Sequence, residues 1–271
     1  MKNSLMKIAP GVEPLQAQLI SIEEHFSSRG TLLHNQRNVI KQFVVHDDSL
    51  TTTATDAPKT INIVVKSFKI PTSIQGWIYA HWRPSKARRS FEYAKTLQSL
   101  GINTHRPLAY SETIKKGKLR ESYFFSELID HDFTIRDTLN QGDHADLDII
   151  RQFTAFTYSL HKNNILHLDH SPGNTLVKQH HDGYRFAIVD INRMKFQPVN
   201  LYDGLKNFSR LSHNLTILQC IANCYAEYTQ ADPKLCYRIL CQHQHKEKKF
   251  RARKQHIKRL ARQLFDRFGH R

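Results

Sequence analysis

The apolar and polar positions place strands mainly in the first half of the chain and helices mainly in the second. Residues 1 to 24 predict no more than a short helix or an extended lead-in. His25 to Val45 reads as strand, turn and strand, punctuated by Gly30 and the Asn35 to Asn38 cluster. A Thr- and Asp-rich tract over 46 to 60 reads as a loop and leads into a β-branched strand, INIVVKSFKIP, that carries Lys66. Ser85 to Leu100 is a helix stopped by Gly101, with Phe91, Ala94, Leu97 and Leu100 on one stripe. Two strands follow, joined by a turn at Lys116 to Lys118, the second rich in Tyr and Phe. Helical patterns cover Phe133 to Leu139 and Asp148 to Lys162, the latter with Ile149, Phe153, Phe156 and Leu160 on one face. They resume over Thr216 to Tyr228 and Pro233 to Gln242.

Between those helical stretches lies the segment richest in chemistry, HLDHSPGNTLVKQHHDGYRFAIVDINR, from His167 to Arg193. Asp169 is followed five residues later by Asn174, then by an apolar strand, a turn at Gly183, a second apolar strand and Asp190. Phosphoryl transfer needs a carboxylate to take the acceptor hydroxyl's proton and hard oxygen ligands to hold Mg²⁺ against the phosphates. Asp169 suits the first role, and Asn174 with Asp190 the second. The protein-kinase pattern H-R-D-L-x-x-x-N followed by D-F-G is matched at His167, Asp169, Asn174 and Asp190, without its Arg, Phe and Gly. Other kinase parts fall in the expected order. Lys66 ends V-V-K where a kinase carries the lysine that grips the α- and β-phosphates, and Glu92, twenty-six residues later, would pair with it. Gly30 stands alone where a glycine-rich phosphate loop would show three, and Ser126, Glu127 and Leu128 would form a hinge whose backbone meets adenine.

The chain has 271 residues, 39% of them hydrophobic, enough for one substantial domain or two lobes sharing a cleft. With 40 Lys and Arg against 24 Asp and Glu, the net charge of +16 favours polyanions or anionic membrane surfaces as partners. Pro10, Glu13 and Pro14 interrupt the run a signal peptide would need, so the sequence predicts a cytoplasmic protein. Disulfides are then not expected of Cys220, Cys224, Cys236 and Cys241, whose spacings with His243 and His245 fit buried small hydrophobes better than a zinc site. The basic run Lys86, Arg88, Arg89 reads as a solvated face or as a surface for an anionic acceptor.

The tail concentrates charge. From Lys246 to Arg271 eleven Lys and Arg face only Glu247 and Asp266, +9 of the total +16. Phe250, Ile257, Leu260, Leu264, Phe265 and Phe268 give it a partly apolar face, so it reads as a basic amphipathic helix for an anionic lipid surface. Nucleic acid is the rival partner, and a solvated tail needs none.

The runs NVIKQF, VVKSFKIP, SKARRSFEYAKTLQSLGINT, RQFTAFTYSLHKNNILHLDHSPGNTLV and VDINRMKF resemble the lipopolysaccharide kinase (Kdo/WaaP) family, in particular its bacterial, Bacteroidetes-like members, over roughly residues 25 to 250. The resemblance implies an α+β, bilobal protein-kinase-like fold: lead-in 1–24, antiparallel β-sheet lobe with one helix 25–128, mainly helical lobe 129–245, and basic helix 246–271. It implies ATP- and Mg²⁺-dependent phosphorylation of Kdo (3-deoxy-manno-octulosonic acid) or a heptose of the lipopolysaccharide inner core, with Kdo-lipid A or core lipid as partner at the inner membrane. Asp169 would be the base, Asn174 and Asp190 the magnesium ligands, and Lys66, positioned by Glu92, the phosphate grip. A small-molecule phosphotransferase would use the same Asp and Asn but favour an acidic cleft for a cationic substrate. A protein kinase would need an activation segment, absent after Arg193, and a pseudokinase would be expected to lose Lys66, Asp169, Asn174 or Asp190.

Overall fold

Strand β4 (Lys59–Ser67) turns Ile63 and Val65 inward, both fully buried, and leaves Lys66 on the opposite face, as a period of two requires. In the computed structural model, which describes residues 2–47 and 59–268, the chain divides into two compact units. Unit 1 comprises residues 1–131 and 187–194, and unit 2 residues 132–186 and 195–271.

Unit 1 is built on a six-stranded sheet. Its elements run β1 (Lys2–Ile8), α1 (Gln16–Glu24), β2 (Thr31–Asn35), β3 (Val39–Asp47), β4, α2 (Ser73–His81), α3 (Lys86–Ser99), β5 (Pro107–Lys115) and β6 (Lys118–Glu127). The strand order is β1-β5-β6-β4-β3-β2, and the pairings of β1 with β5, β5 with β6, β6 with β4, β4 with β3 and β3 with β2 are all antiparallel. The β5–β6 hairpin turns at Lys116 and Gly117, both with positive φ, the twist a two-residue connection demands. Helix α3 starts where Ser85 caps the amide of Arg88 and buries Phe91, Ala94 and Leu97, with the Phe91 ring 5.3 Å from Tyr110 of β5.

Two expectations change in this unit. The lead-in is part of the sheet, because β1 pairs along β5 from Lys2↔Lys115 to Ile8↔Ala109. A helix not foreseen in the sequence, α2, precedes α3. Most of the loop expected over 46–60 lies outside the described residues.

Unit 2 is mainly helical. It runs β7 (Phe133–Thr134), α4 (Ile135–Leu139), α5 (Leu147–Lys162), β8 (Ile165–His167), β9 (Thr175–His180), β10 (Gly183–Ile188), β11 (Met194–Phe196), α6 (Leu201–Phe208), α7 (Leu215–Thr229) and α8 (Pro233–Phe268), with the last two residues of β10 and the first of β11 assigned to unit 1. Its core gathers Ile150 and Phe153 of α5, Leu205 and Phe208 of α6, Ile217, Ile221 and Tyr225 of α7, and Leu240 of α8. Cys220, Cys224 and Cys236 are buried free thiols in or beside that core. The helix expected over 133–139 is shorter, since its first two residues pair with β9 as β7. The two helices expected after Pro233 are one, because no Gly or Pro interrupts the 36 residues of α8. Among the described residues no helix is long and apolar enough to cross a membrane.

Candidate active site

In unit 1, Lys66 projects from β4 to Asp190, with Nζ 2.6 Å from Oδ1. Asn192 donates its Nδ2 to the same oxygen at 2.5 Å. Asp190 sits in the left-handed region, φ 56° and ψ 42°, one of the few non-glycine residue types that occupy it routinely. That backbone turn ends β10 and opens a 3-10 turn over Ile191–Arg193. The approach is fixed by hydrogen bonds: the Ile188 amide donates to the Asn103 carbonyl at 3.0 Å, and the Thr104 hydroxyl donates to the Ile188 carbonyl at 2.7 Å. Next along the chain, His105 is pushed down to about pKa 4 by burial and then by the Lys66 ammonium, against the opposing pull of Asp190. It is therefore neutral at pH 7.

Glu92 does not reach Lys66. Its carboxylate meets Lys7 of β1 at 3.5 Å. The strand order explains this, because β4 lies three strand spacings from β1, about 14 Å, too far for one carboxylate to serve both. Gly30 is likewise not at the tip of the hairpin that a phosphate loop would occupy. The tip is residues 36–38, whereas Gly30 precedes β2 with φ +86° and packs where a Cβ would meet the Phe43 ring at 2.5 Å. Its glycine character answers to backbone conformation and packing.

Glu127 and Leu128 end β6 beside a cavity of about 590 Å³ lined by Asn62, Arg106, Ile129 and His131 among others. The Glu127 amide donates to the Arg106 carbonyl at 3.0 Å and the Leu128 amide to the Asn62 carbonyl at 2.9 Å. The Glu127 carboxylate pairs with Arg106 at 2.6 Å. Those two amides are thus engaged within the unit.

In unit 2, Asp169 follows β8 and is held directly by three residues, one of them braced in turn by a fourth. His167, fully buried, accepts the Asp169 amide at Nδ1 (3.1 Å), and Asn207 donates to the His167 carbonyl (2.9 Å). Asn174 donates Nδ2 to the Asp169 carbonyl at 2.8 Å, and Arg210 places Nη1 2.8 Å from Asp169 Oδ1. Arg210 also reaches Glu247 of α8 at 3.3 Å. Beneath the loop, His170 is buried and stacks on Phe153 with centroids 5.7 Å apart; burial and then His167 hold its pKa well below the ordinary value. Leu168, where the kinase pattern has Arg, points outward and is 55% exposed. Arg210, Asn207 and His105 carry no sequence signal, since each lies tens of residues from the group it serves.

Each unit offers a hard oxygen donor of its own. Asp190 offers carboxylate oxygen, and because Asn174 commits Nδ2 to the Asp169 carbonyl, its Oδ1 is the end directed elsewhere. Among the described residues no cluster of three or more His, Cys, Asp or Glu is placed for a metal.

A sheet unit with a strand lysine ion-paired to an aspartate, and a helical unit with a braced H-x-D-x-x-x-x-N loop, define a protein-kinase-like phosphotransferase. The chain belongs to the lipopolysaccharide kinase (Kdo/WaaP) family, whose model matches residues 77–235, more than half its length. That family phosphorylates a sugar hydroxyl of lipopolysaccharide and uses ATP. A solved structure described as WaaP in complex with acyl carrier protein has a similar fold, with TM-score 0.59 and 12% identity over 90% of this chain and 98% of that one. No curated protein matches the sequence. The matched span contains Asp169, Asn174 and Asp190 and begins after Lys66.

Proposed function

We propose that the protein transfers the γ-phosphoryl of ATP to a hydroxyl of Kdo or heptose in the lipopolysaccharide inner core, with Asp169 as general base. The family match across Asp169, Asn174 and Asp190 carries this reading. Asp169 would accept the acceptor hydroxyl's proton as that oxygen bonds phosphorus and the bond to the ADP oxygen breaks. Arg210 and Asn174 hold the carboxylate and its backbone in place, so little reorganisation remains for the reaction itself. Asn174 and Asp190 would hold Mg²⁺, which when bound neutralises the phosphate charge. Lys66 would exchange Asp190 for the α- and β-phosphates, and the Glu127–Leu128 edge would receive adenine.

The net charge of +16 suits a phosphorylated lipid acceptor, and the basic helix α8, with Phe250, Ile257 and Leu260 exposed, would hold the enzyme at the cytoplasmic face of an anionic membrane. The test is a panel of acceptors, Kdo-lipid A and heptosylated core lipid, incubated with labelled ATP, with the phosphorylated position mapped in any product. Label on one core sugar supports the reading and selects the sugar. Label only on small soluble alcohols, with both core lipids untouched, moves the assignment to a small-molecule phosphotransferase.

A further inference from the structure

Helix α2 faces the wrong way for a core helix. Its buried residue is Gly76, where a Cβ would lie 2.8 Å from the Leu119 carbonyl of β6, so the helix lies close on the sheet through its glycine. The large apolar residues occupy the other side. Ile74, Trp77, Ile78 and, at the C-cap, Trp82 recur at helical spacing and are all exposed, Ile74 by 75% and Trp82 by 78%. Trp77 stacks on His81 and lies 6.0 Å from the Trp82 ring, so the stripe is continuous. A contiguous exposed apolar stripe of this kind marks a surface that something covers.

The neighbouring chemistry says what. Beside α2 is a cavity of about 190 Å³ lined by Arg37, Lys69, Ile70, Gln75, Tyr79 and Lys86 among others, with no Asp or Glu in its wall. Lys86 is held below its usual pKa by burial, then by Arg37, Arg193 and Arg89, against the weaker opposing pull of Asp190, so cations outnumber acids around it. Arg83 and Arg88 add exposed charge between α2 and α3. Tryptophan and isoleucine on a convex helix, next to an acid-free basic cavity, are the two parts of an interfacial lipid contact.

We propose that α2 docks on an anionic bilayer, with Ile74, Trp77, Ile78 and Trp82 in the headgroup layer and a lipid phosphate in the Arg37–Lys69–Lys86 cavity. This surface belongs to the sheet unit and is separate from α8, and it does not depend on which sugar is phosphorylated.

Trp77 and Trp82 are the chain's two tryptophans, so intrinsic emission reports this face alone. The full chain is titrated with phosphatidylcholine vesicles, with and without phosphatidylglycerol, without ATP or sugar acceptor. The expected result is a shift to shorter wavelength with the anionic vesicles, little with neutral ones and none with inorganic phosphate. Ile74→Ser with Ile78→Ser, and separately Lys69→Glu with Lys86→Glu, weaken vesicle partitioning roughly fivefold or more while ATP binding is retained. Cosedimentation with anionic vesicles without the emission shift, or absence of cosedimentation, overturns the proposal. So does a shift produced by an acidic soluble protein but not by vesicles, or one that grows with protein concentration in buffer alone.

Discussion

Lys66 and Asp190 stand 124 residues apart in sequence and form an ion pair of 2.6 Å, with Asn192 on the same carboxylate oxygen. The pair lies within one unit and satisfies both groups before nucleotide arrives. Replacing Lys66 by Met removes the proposed phosphate grip and the 2.6 Å ion pair to Asp190. We expect kcat/KM for ATP to fall on the order of 10²-fold or more, a loss typical of a preorganised charge contact. Glu92→Gln, which breaks only the exposed contact to Lys7, should change kcat/KM by less than about threefold and stability by less than about 1 kcal/mol. Steady-state kinetics of the two variants side by side checks both.

Arg210 is a positioning residue for Asp169. Arg210→Ala should lower kcat by roughly tenfold or more while KM for ATP changes little, because the carboxylate loses an anchor and no nucleotide contact is touched. Arg210→Lys, which keeps the charge but not the fork that also reaches Glu247, should recover part of kcat. A role in folding alone would predict lower Tm with kcat per folded enzyme unchanged.

Gly30 separates packing from phosphate covering. Gly30→Ala forces a Cβ toward the Phe43 ring at a positive φ and should destabilise the fold by about 1–3 kcal/mol, read as a lower Tm. KM for ATP should be unchanged in the folded fraction. A rise in KM with an unaltered Tm would restore the phosphate-loop role.

Acid should weaken the fold before it titrates most carboxylates. His105 and His161 are pushed down to about 4 in the folded state, both first by burial, and His170 is held well below its ordinary value for the same first reason. The unfolded chain takes up protons on these rings near pH 6.5, whereas the folded chain does not until about pH 4, so protons favour unfolding across that window. Stability is full above about pH 6.5 and falls as pH drops toward 4, by roughly 3 kcal/mol from His161 alone. Denaturant midpoints at pH 7.5 and 5 measure it, and His161→Gln should flatten the dependence.

What the sequence showed follows from how local each signal is. The β-branched run of β4, the Ser85 cap of α3, the Lys116–Gly117 turn and the apolar face of α5 are written within a few residues, and each element formed where expected. Strand β1 has no local signature, because it is defined by pairing with β5 a hundred residues away. The partner expected of Lys66 failed for the same reason: spacing to Glu92 says nothing about the strands between them. Likewise Arg210, far from the motif, reaches Asp169 only through the fold.

The most direct test is Mg²⁺-dependent transfer of labelled γ-phosphate from ATP to Kdo-lipid A or heptosylated core lipid, comparing wild type with Asp169→Asn. The proposed mechanism predicts label in the lipid with wild type and its loss, by on the order of 10²-fold or more, in a variant that still binds ATP. Equal transfer by the variant would contradict Asp169 as the base, and no transfer to either lipid by wild-type enzyme that binds ATP would contradict a core-sugar kinase.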